Sequence, residues 1–257
     1  METIGLIAAM PQEIKPVLRR VGKRERTTLG PFSCYRFQLA NLDCLLVESG
    51  MGLKRAIAAT RELLSAARPS LLVSFGVAGA VRNDLRVGDV VLAGGACLLD
   101  EGIPGAVLPL APLTNAARQA AAQALQRRRA RLVAGTALTT LGSQVIRDLP
   151  PEMAYPVLEM ETAGIAQLAA EQGIPLLALR AVSDLVEDGL PLSIGELADE
   201  ALTPRVGKIV KVVLRRPRIV PQLVRLAWNV EKAAENVALA LVAALGQSVD
   251  GPPIGAA

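Results

Sequence analysis

The chain has 257 residues, of which 51% are hydrophobic, 20% charged and 2% aromatic, with a net charge of +4 and an isoelectric point near 9.2. That length suits one large α/β domain with a well-buried core, residues 1–257 without an interdomain linker, and no uncharged run reaches the roughly eighteen residues that a membrane helix needs. There is no histidine, which excludes Ser-His-Asp and Cys-His nucleophiles and removes the commonest zinc ligand, while the scarcity of aromatic rings leaves the basic excess little with which to stack nucleic-acid bases.

Residues 3–9 are an apolar run that predicts a first parallel strand, and Glu2 stands where a signal peptide would carry positive charge, so the cytoplasm is the expected location. Pro11 favours a helix start and puts Glu13 in the first turn after that strand. Residues 32–39 and 44–48 read as a hairpin turning through Asn41, Leu42 and Asp43. Ala56, Thr60, Leu63 and Ala67 mark one helix face. The next buried strand, 71–75, leads into Gly76, Val77, Ala78 and Gly79, read as a turn whose minimal side chains let a ligand approach the backbone. Gly88 and Asp89 form a turn before another strand. The proline-rich residues 103–112 form a loop that could edge a pocket, and Thr114 caps an alanine-rich helix ending in Arg127, Arg128, Arg129 and Arg131, a solvated face. Cys34, Cys44 and Cys97 are odd in number and lack metal spacing, as reduced structural thiols do. Residues 132–139 predict a further strand.

The most informative stretch is 157–189. A short apolar run ends at Met160, and Glu161 opens a helix with Ile165, Leu168 and Ala169 on one face, closed by Gly173 and Pro175. Residues 176–182 read as a strand buried on both faces, with Ser183 and Asp184 just past its end. The expected architecture is a single α/β domain with a mostly parallel or mixed central sheet flanked by helices. Ligands bind outside the carboxyl ends of strands in such sheets, which makes Glu161 and Asp184 site candidates. Both also fit plainer roles, as a helix-start acid and as a Ser-Asp cap.

The run Glu159-Met160-Glu161, followed after a helix by Arg180-Ala181-Val182-Ser183-Asp184, resembles the signature of the methylthioadenosine/S-adenosylhomocysteine nucleosidases in the nucleoside phosphorylase superfamily. The sequence from Ile4 to Glu13 resembles that family's first strand and acidic turn, and the segments around Gly50 and Gly76 resemble its glycine turns. The resemblance implies scission of an N-ribosidic bond through an oxocarbenium-like transition state, work that glycosidases divide between two carboxyl groups. Asp184 would then protonate the purine, which requires a raised pKa. Glu161 would hold the ribose hydroxyls and Glu13 would activate water. Met160 and Arg180 occupy sugar-orienting positions, Ser183 and the Val77-Ala78-Gly79 segment border the substrate, and Leu138 stands where the family places an aromatic ring against adenine. No cofactor is implied, and a homodimer or higher homo-oligomer is expected. Phosphorylases of the superfamily bind phosphate with arginine, whereas this chain has Ser74 and Val77 at those positions and acidic Glu13 nearby, so hydrolysis is favoured over phosphorolysis. The alternatives are a phosphorylase and a non-catalytic nucleoside-binding or membrane-associated protein.

Residues 204–246 form an expected C-terminal helical extension. Between 205 and 230 lie Arg205, Lys208, Lys211, Arg215, Arg216, Arg218 and Arg225 with no acid among them, interleaved with apolar residues, and Pro217 and Pro221 are expected to break the stretch into short amphipathic helices. One reading docks these helices on the body with their basic faces in water. The other makes them an interfacial element for anionic lipid headgroups, consistent with a resemblance of Ser74-Phe75-Gly76 and of residues 214–217 to the superfamily's hopanoid-associated branch, in which an adenosyl-lipid is the substrate. That reading adds a peripheral position at the inner membrane face.

Overall fold

A computed structural model describes residues 2–142, 146–185 and 220–247. In chain order the elements are β1 (Glu2–Ala8), α1 (Pro11–Arg20), β2 (Arg24–Leu29), β3 (Phe32–Leu39), β4 (Leu42–Glu48), α2 (Leu53–Ala66), β5 (Leu71–Ala80), β6 (Val90–Asp100), β7 (Ile103–Pro104), β8 (Leu108–Pro109), α3 (Asn115–Gln126), β9 (Leu132–Thr139), β10 (Pro156–Glu159), α4 (Thr162–Glu171), β11 (Leu176–Asp184) and α5 (Val220–Gly246). Alternation on the pleat sorts the core into two layers. Ile4, Leu6 and Ala8 of β1 pack with Ile14 and Val17 of α1, Ala121 and Leu125 of α3, and Val237, Leu241 and Leu245 of α5. Ile7 faces the other way, into a cluster with Ala56 and Leu63 of α2 and Ile165 and Ala169 of α4. A sheet covered on both faces needs apolar residues on both, which is why its central strands read as continuous hydrophobic runs.

The sheet is mixed, in the order β10-β9-β6-β11-β5-β1-β4-β3-β2. Strands β1, β4, β5 and β11 are parallel, while β6 runs antiparallel to β11 and carries β9 and β10 in its own direction. The far edge then curls back. Val157 and Leu158 of β10 pair with Ala80 and Gly79 of β5, so β5, β11, β6, β9 and β10 close into a ring. Closure brings the end of β10 to the parallel strands although it points the other way.

Four expectations need correction. Residues 76–79 are not a turn but lie inside β5, which continues to Ala80 with Arg180 of β11 opposite Gly76. Ser183 and Asp184 belong to β11, reached through a register shift after Val182. The hairpin turns at Ala40 and Asn41, where Ala40 takes φ 52, and a further strand, β2, precedes it, hidden from hydrophobic patterning because nearly all of its residues are exposed. Finally, α5 is not broken into short helices at Pro221. Its second half is part of the main core, with Ala233, Val237, Leu241 and Leu245 fully buried. Pro221 sits in the first turn of this one long helix, where the missing amide has no intrahelical partner to lose. The basic residues from Arg205 to Arg218, and Pro217, lie outside the described residues.

Candidate active site

The strand β1 delivers the chain to Met10, which takes an extended conformation before Pro11 starts α1. Glu13, three residues on, folds its side chain back over this helix start. Its Oε2 accepts hydrogen bonds from the amides of Ala9 at 3.0 Å and Met10 at 2.8 Å. Its Oε1 crosses to β5 and accepts the Val77 amide at 2.9 Å. The carboxyl is buried, and desolvation pushes its pKa up against the lowering by these amides and by Arg180. Gly76 makes the crossing possible, since a Cβ there would collide with Glu13 Oε1 and stand 3.3 Å from Arg180 Nη1.

Arg180 is 2% exposed. Its Nη2 donates to Glu159 Oε2, Ser74 Oγ and Thr162 Oγ1, each at 2.8 Å, and its Nε reaches Glu159 Oε2 at 3.2 Å. Glu159 also accepts from the Thr162 amide, from the Thr162 hydroxyl at 2.6 Å, from the Glu161 amide at 3.1 Å and from the Thr139 hydroxyl. Desolvation opposes its ionisation, but Arg180 and the two threonine hydroxyls outweigh that and hold its pKa below the ordinary value. A buried ion pair is tolerated where the remaining lone pairs are satisfied in this way.

Glu161 is the residue before the first turn of α4. Its Oε1 accepts the amide of Gly52, where α2 begins, at 2.8 Å, and its Oε2 accepts the Met160 amide at 3.3 Å. Desolvation first and the charge of Glu159 second raise its pKa from 4.5 to about 7. Asp184 lies at the other end of the same stretch of β5. Its Oδ1 accepts the Ser183 hydroxyl at 2.6 Å, and its Oδ2 is 2.6 Å from the position a Cβ on Gly79 would take, so Gly79 is needed for close approach as Gly76 is. The buried Ser183 hydroxyl also lies 3.3 Å from the Ala78 carbonyl oxygen.

Glu13, Glu161, Arg180, Ser183 and Asp184 are thus gathered around residues 76–79 of β5 and the ends of β10 and β11, with Met160 half-buried beside them. Leu138 is not on an open wall. Its side chain is fully buried with Cys97 and Leu99 between β9 and β6. Arg180 does not present its Nη2 and Nε to a ligand, because Glu159, Ser74 and Thr162 engage them. Ser74, Thr139, Glu159 and Thr162 were not singled out by sequence as site residues. Glu159 alone carried a local signal, an acceptor three residues ahead of Thr162 at a helix start. Two surface grooves, one lined by Lys23, Arg24, Arg36 and Asp43 and one by Arg128, Trp228, Glu231 and Lys232, include none of these residues.

A mixed α/β domain with four acids and one arginine gathered at a closed corner of its sheet has recognisable kin. Residues 3–215 match the family described as the phosphorylase superfamily. The 5'-methylthioadenosine/S-adenosylhomocysteine nucleosidase of Marinomonas sp. is 31% identical over 215 residues, covering 76% of this chain and 91% of that one. Among solved structures, the nucleosidase of the same name from Colwellia psychrerythraea, in complex with adenine, superposes with a TM-score of 0.68 at 20% identity, covering 96% of this chain and 95% of the other. The futalosine hydrolase of Helicobacter pylori superposes with a TM-score of 0.66 at 19% identity, covering 95% and 97%. The chain belongs to the phosphorylase superfamily, as a member akin to the methylthioadenosine/S-adenosylhomocysteine nucleosidases.

Protonation of Glu161 has a measurable consequence. Its folded pKa of about 7 exceeds its ordinary 4.5, so in that window the folded state binds more protons than the unfolded state and stability falls as pH rises. Glu13 acts with the same sign and Glu159 with the opposite sign below 4.5. Glu161→Gln should flatten the decline between pH 4.5 and about 7 in urea unfolding; an unchanged slope would show that Glu161 is ionised throughout that range.

Proposed function

We propose that this protein is a nucleosidase that hydrolyses the N-ribosidic bond of a purine nucleoside. The observation that carries the proposal is the placement of Glu13 and Asp184 against opposite ends of one glycine-containing stretch of β5, with Glu161 between helix starts beside them. Asp184, oriented by Ser183, protonates the departing base. Glu161 accepts the ribose hydroxyls and Met160 packs on the sugar. Glu13, held by three amides with a proton affinity raised by burial, takes the proton of the attacking water. Arg180 supplies positive charge among the acids without facing the substrate through its engaged nitrogens. Asp184→Asn keeps the shape and removes the proton, so base release from an adenine nucleoside should fall about a hundredfold or more with folding intact. Turnover near that of the native chain at neutral pH would remove Asp184 from the mechanism.

The base is of the adenine type, the 5'-substituent is apolar and the working form is a homodimer or larger. Exposed Leu98, Ile103, Val107 and Leu141, carried to one edge by the pairing of β6 with β7, β8 and β9, support an apolar contact face. The same reading extends to a lipid-linked nucleoside. Val220, Val224 and Trp228, at 37%, 50% and 74% exposure, form an apolar stripe along the first turns of α5, next to Arg225 and following the acid-free basic segment 205–218. No described helix is long and apolar enough to cross a membrane, and an interfacial contact needs none. The protein should sediment with anionic vesicles at low salt, dissociate as salt screens the charges, and bind more weakly after Val224→Ser with Trp228→Ser. Failure of the native chain to bind at low salt would leave the stripe as ordinary surface and the substrate as a soluble nucleoside.

A further inference from the structure

The placement of Asp184 depends on an irregularity in β11. Val182 pairs with Ala78 of β5 and Asp184 with Gly79, so Ser183 is an extra residue between two successive pairs. A residue inserted into a strand turns the side chains after it to the other face, and this lays the Asp184 carboxyl over Gly79, with Oδ2 2.6 Å from the place of a Cβ there. The insertion stays at Ser183 only while Val182, just before it, is pinned. Two hydrogen bonds pin it: its amide donates to the Asp89 carbonyl at 2.9 Å, and its carbonyl accepts the Gly88 amide at 2.8 Å.

The turn that grips Val182 is itself gripped from α5. Gly88 is buried with φ 96, and its carbonyl accepts Nδ2 of Asn236 at 2.8 Å. A Cβ on Gly88 would come within 2.9 Å of that nitrogen, so the close approach needs a glycine. Asn236 Oδ1 accepts Arg128 Nε at 3.3 Å. A guanidinium only donates and a carbonyl only accepts, which fixes the amide in one orientation. Arg128, just past the end of α3, stands beside Glu235, with which Arg19 and Arg20 of α1 also pair. Three helices therefore converge next to Asn236, a fully buried polar residue on an otherwise apolar helix face.

We propose that Asn236 is a positioning residue for Asp184: by holding the Gly88 carbonyl it fixes the turn that pins Val182, and through the inserted Ser183 it fixes the general acid. The proposal rests on the hydrolytic reading above and deepens it, because it gives the buried half of α5 a part in the reaction at a distance. Small displacements of a reacting group cost rate steeply, so a link of this kind acts on turnover more than on substrate binding.

Asn236→Asp tests the link with almost no change of volume: the aspartate still accepts from Arg128 but turns an oxygen, not a donor, toward the Gly88 carbonyl. Asn236→Leu serves if that variant does not fold. Leu241→Ala, on the same helix, fully buried and without a polar side chain, is the control for a general loss of stability. In base release from an adenine nucleoside, kcat of Asn236→Asp should fall about tenfold or more with KM within about twofold, while Leu241→Ala, assayed well below its melting temperature, should keep its kcat. In an Asp184→Asn background the same Asn236 substitution should cost less than about twofold, since a residue acting through another is not additive with it. Amide hydrogen exchange in residues 180–184 should be faster in Asn236→Asp than in Leu241→Ala after correction for the global stability of each. An unchanged kcat in Asn236→Asp, full additivity with Asp184→Asn, or an equal response in the control overturns the proposal. If the native chain releases no base from any nucleoside, the hydrolytic reading falls, and the exchange measurement alone decides whether Asn236 fixes the end of β11.

Discussion

One guanidinium holds the acidic corner of this protein together. Arg180 lies on a central strand, cut off from water, among Glu159, Glu161 and Glu13. Two buried acids and a half-buried one would repel one another to the point of neutralising, and a lone buried arginine would cost far more than folding could offset. Together they are tolerable because the charges are not left to each other. Glu159 is held by the amides and hydroxyls at the start of α4, Glu13 by the amides at the start of α1, and Glu161 by the amide at the start of α2. Helix starts carry unsatisfied amides and partial positive charge, so each acid is matched to a site that favours its anion. Glu159, with the most donors and the direct contact to Arg180, stays ionised; Glu161 and Glu13, with fewer, are pushed toward protonation.

That division sets groups of the same type apart in proton affinity within one corner of the sheet. It also explains the glycines. Gly76 and Gly79 lie within a strand, where they cost entropy and contribute no packing. They are needed because Glu13 and Asp184 each cross close over the backbone of β5, where a methyl group would meet a carboxylate oxygen. The closure of β10 onto β5 does the rest, carrying Glu159 to Glu161 from a strand that points the opposite way.

Much of this was legible in the sequence, for physical reasons that also mark where legibility stopped. Strands buried on both faces announce themselves as apolar runs, so β1, β5, β9 and β11 could be placed within a few residues, and Thr114 was correctly read as the cap of α3, where its hydroxyl accepts the Ala117 amide. Glu161 and Asp184 are marked by their place at strand ends, Glu13 and Arg180 by resemblance, and the structure brings them together. The glycine run was misread as a turn, because local composition cannot distinguish a residue that needs a positive φ from one that must leave room for a distant side chain. Thr139 and Thr162 gave no signal, because a buried hydroxyl is defined by the partner it meets across the sheet. The depth to which α5 is buried is faint in the sequence, since its alanine-rich second half is apolar only in small increments, yet Ala233, Ala240 and Ala244 allow it to lie close against α1, α3 and β11. Leu138 was placed by analogy in a binding wall and belongs to the core.

The claim on which the account turns is that water, activated at Glu13, is the nucleophile. It is tested most directly by running the native protein to completion on an adenine nucleoside in phosphate-containing buffer made with ¹⁸O-water and determining the mass of the sugar product. The account predicts a free sugar carrying one heavy oxygen from solvent, at a yield independent of phosphate. A sugar 1-phosphate, or base release that requires phosphate, would contradict it.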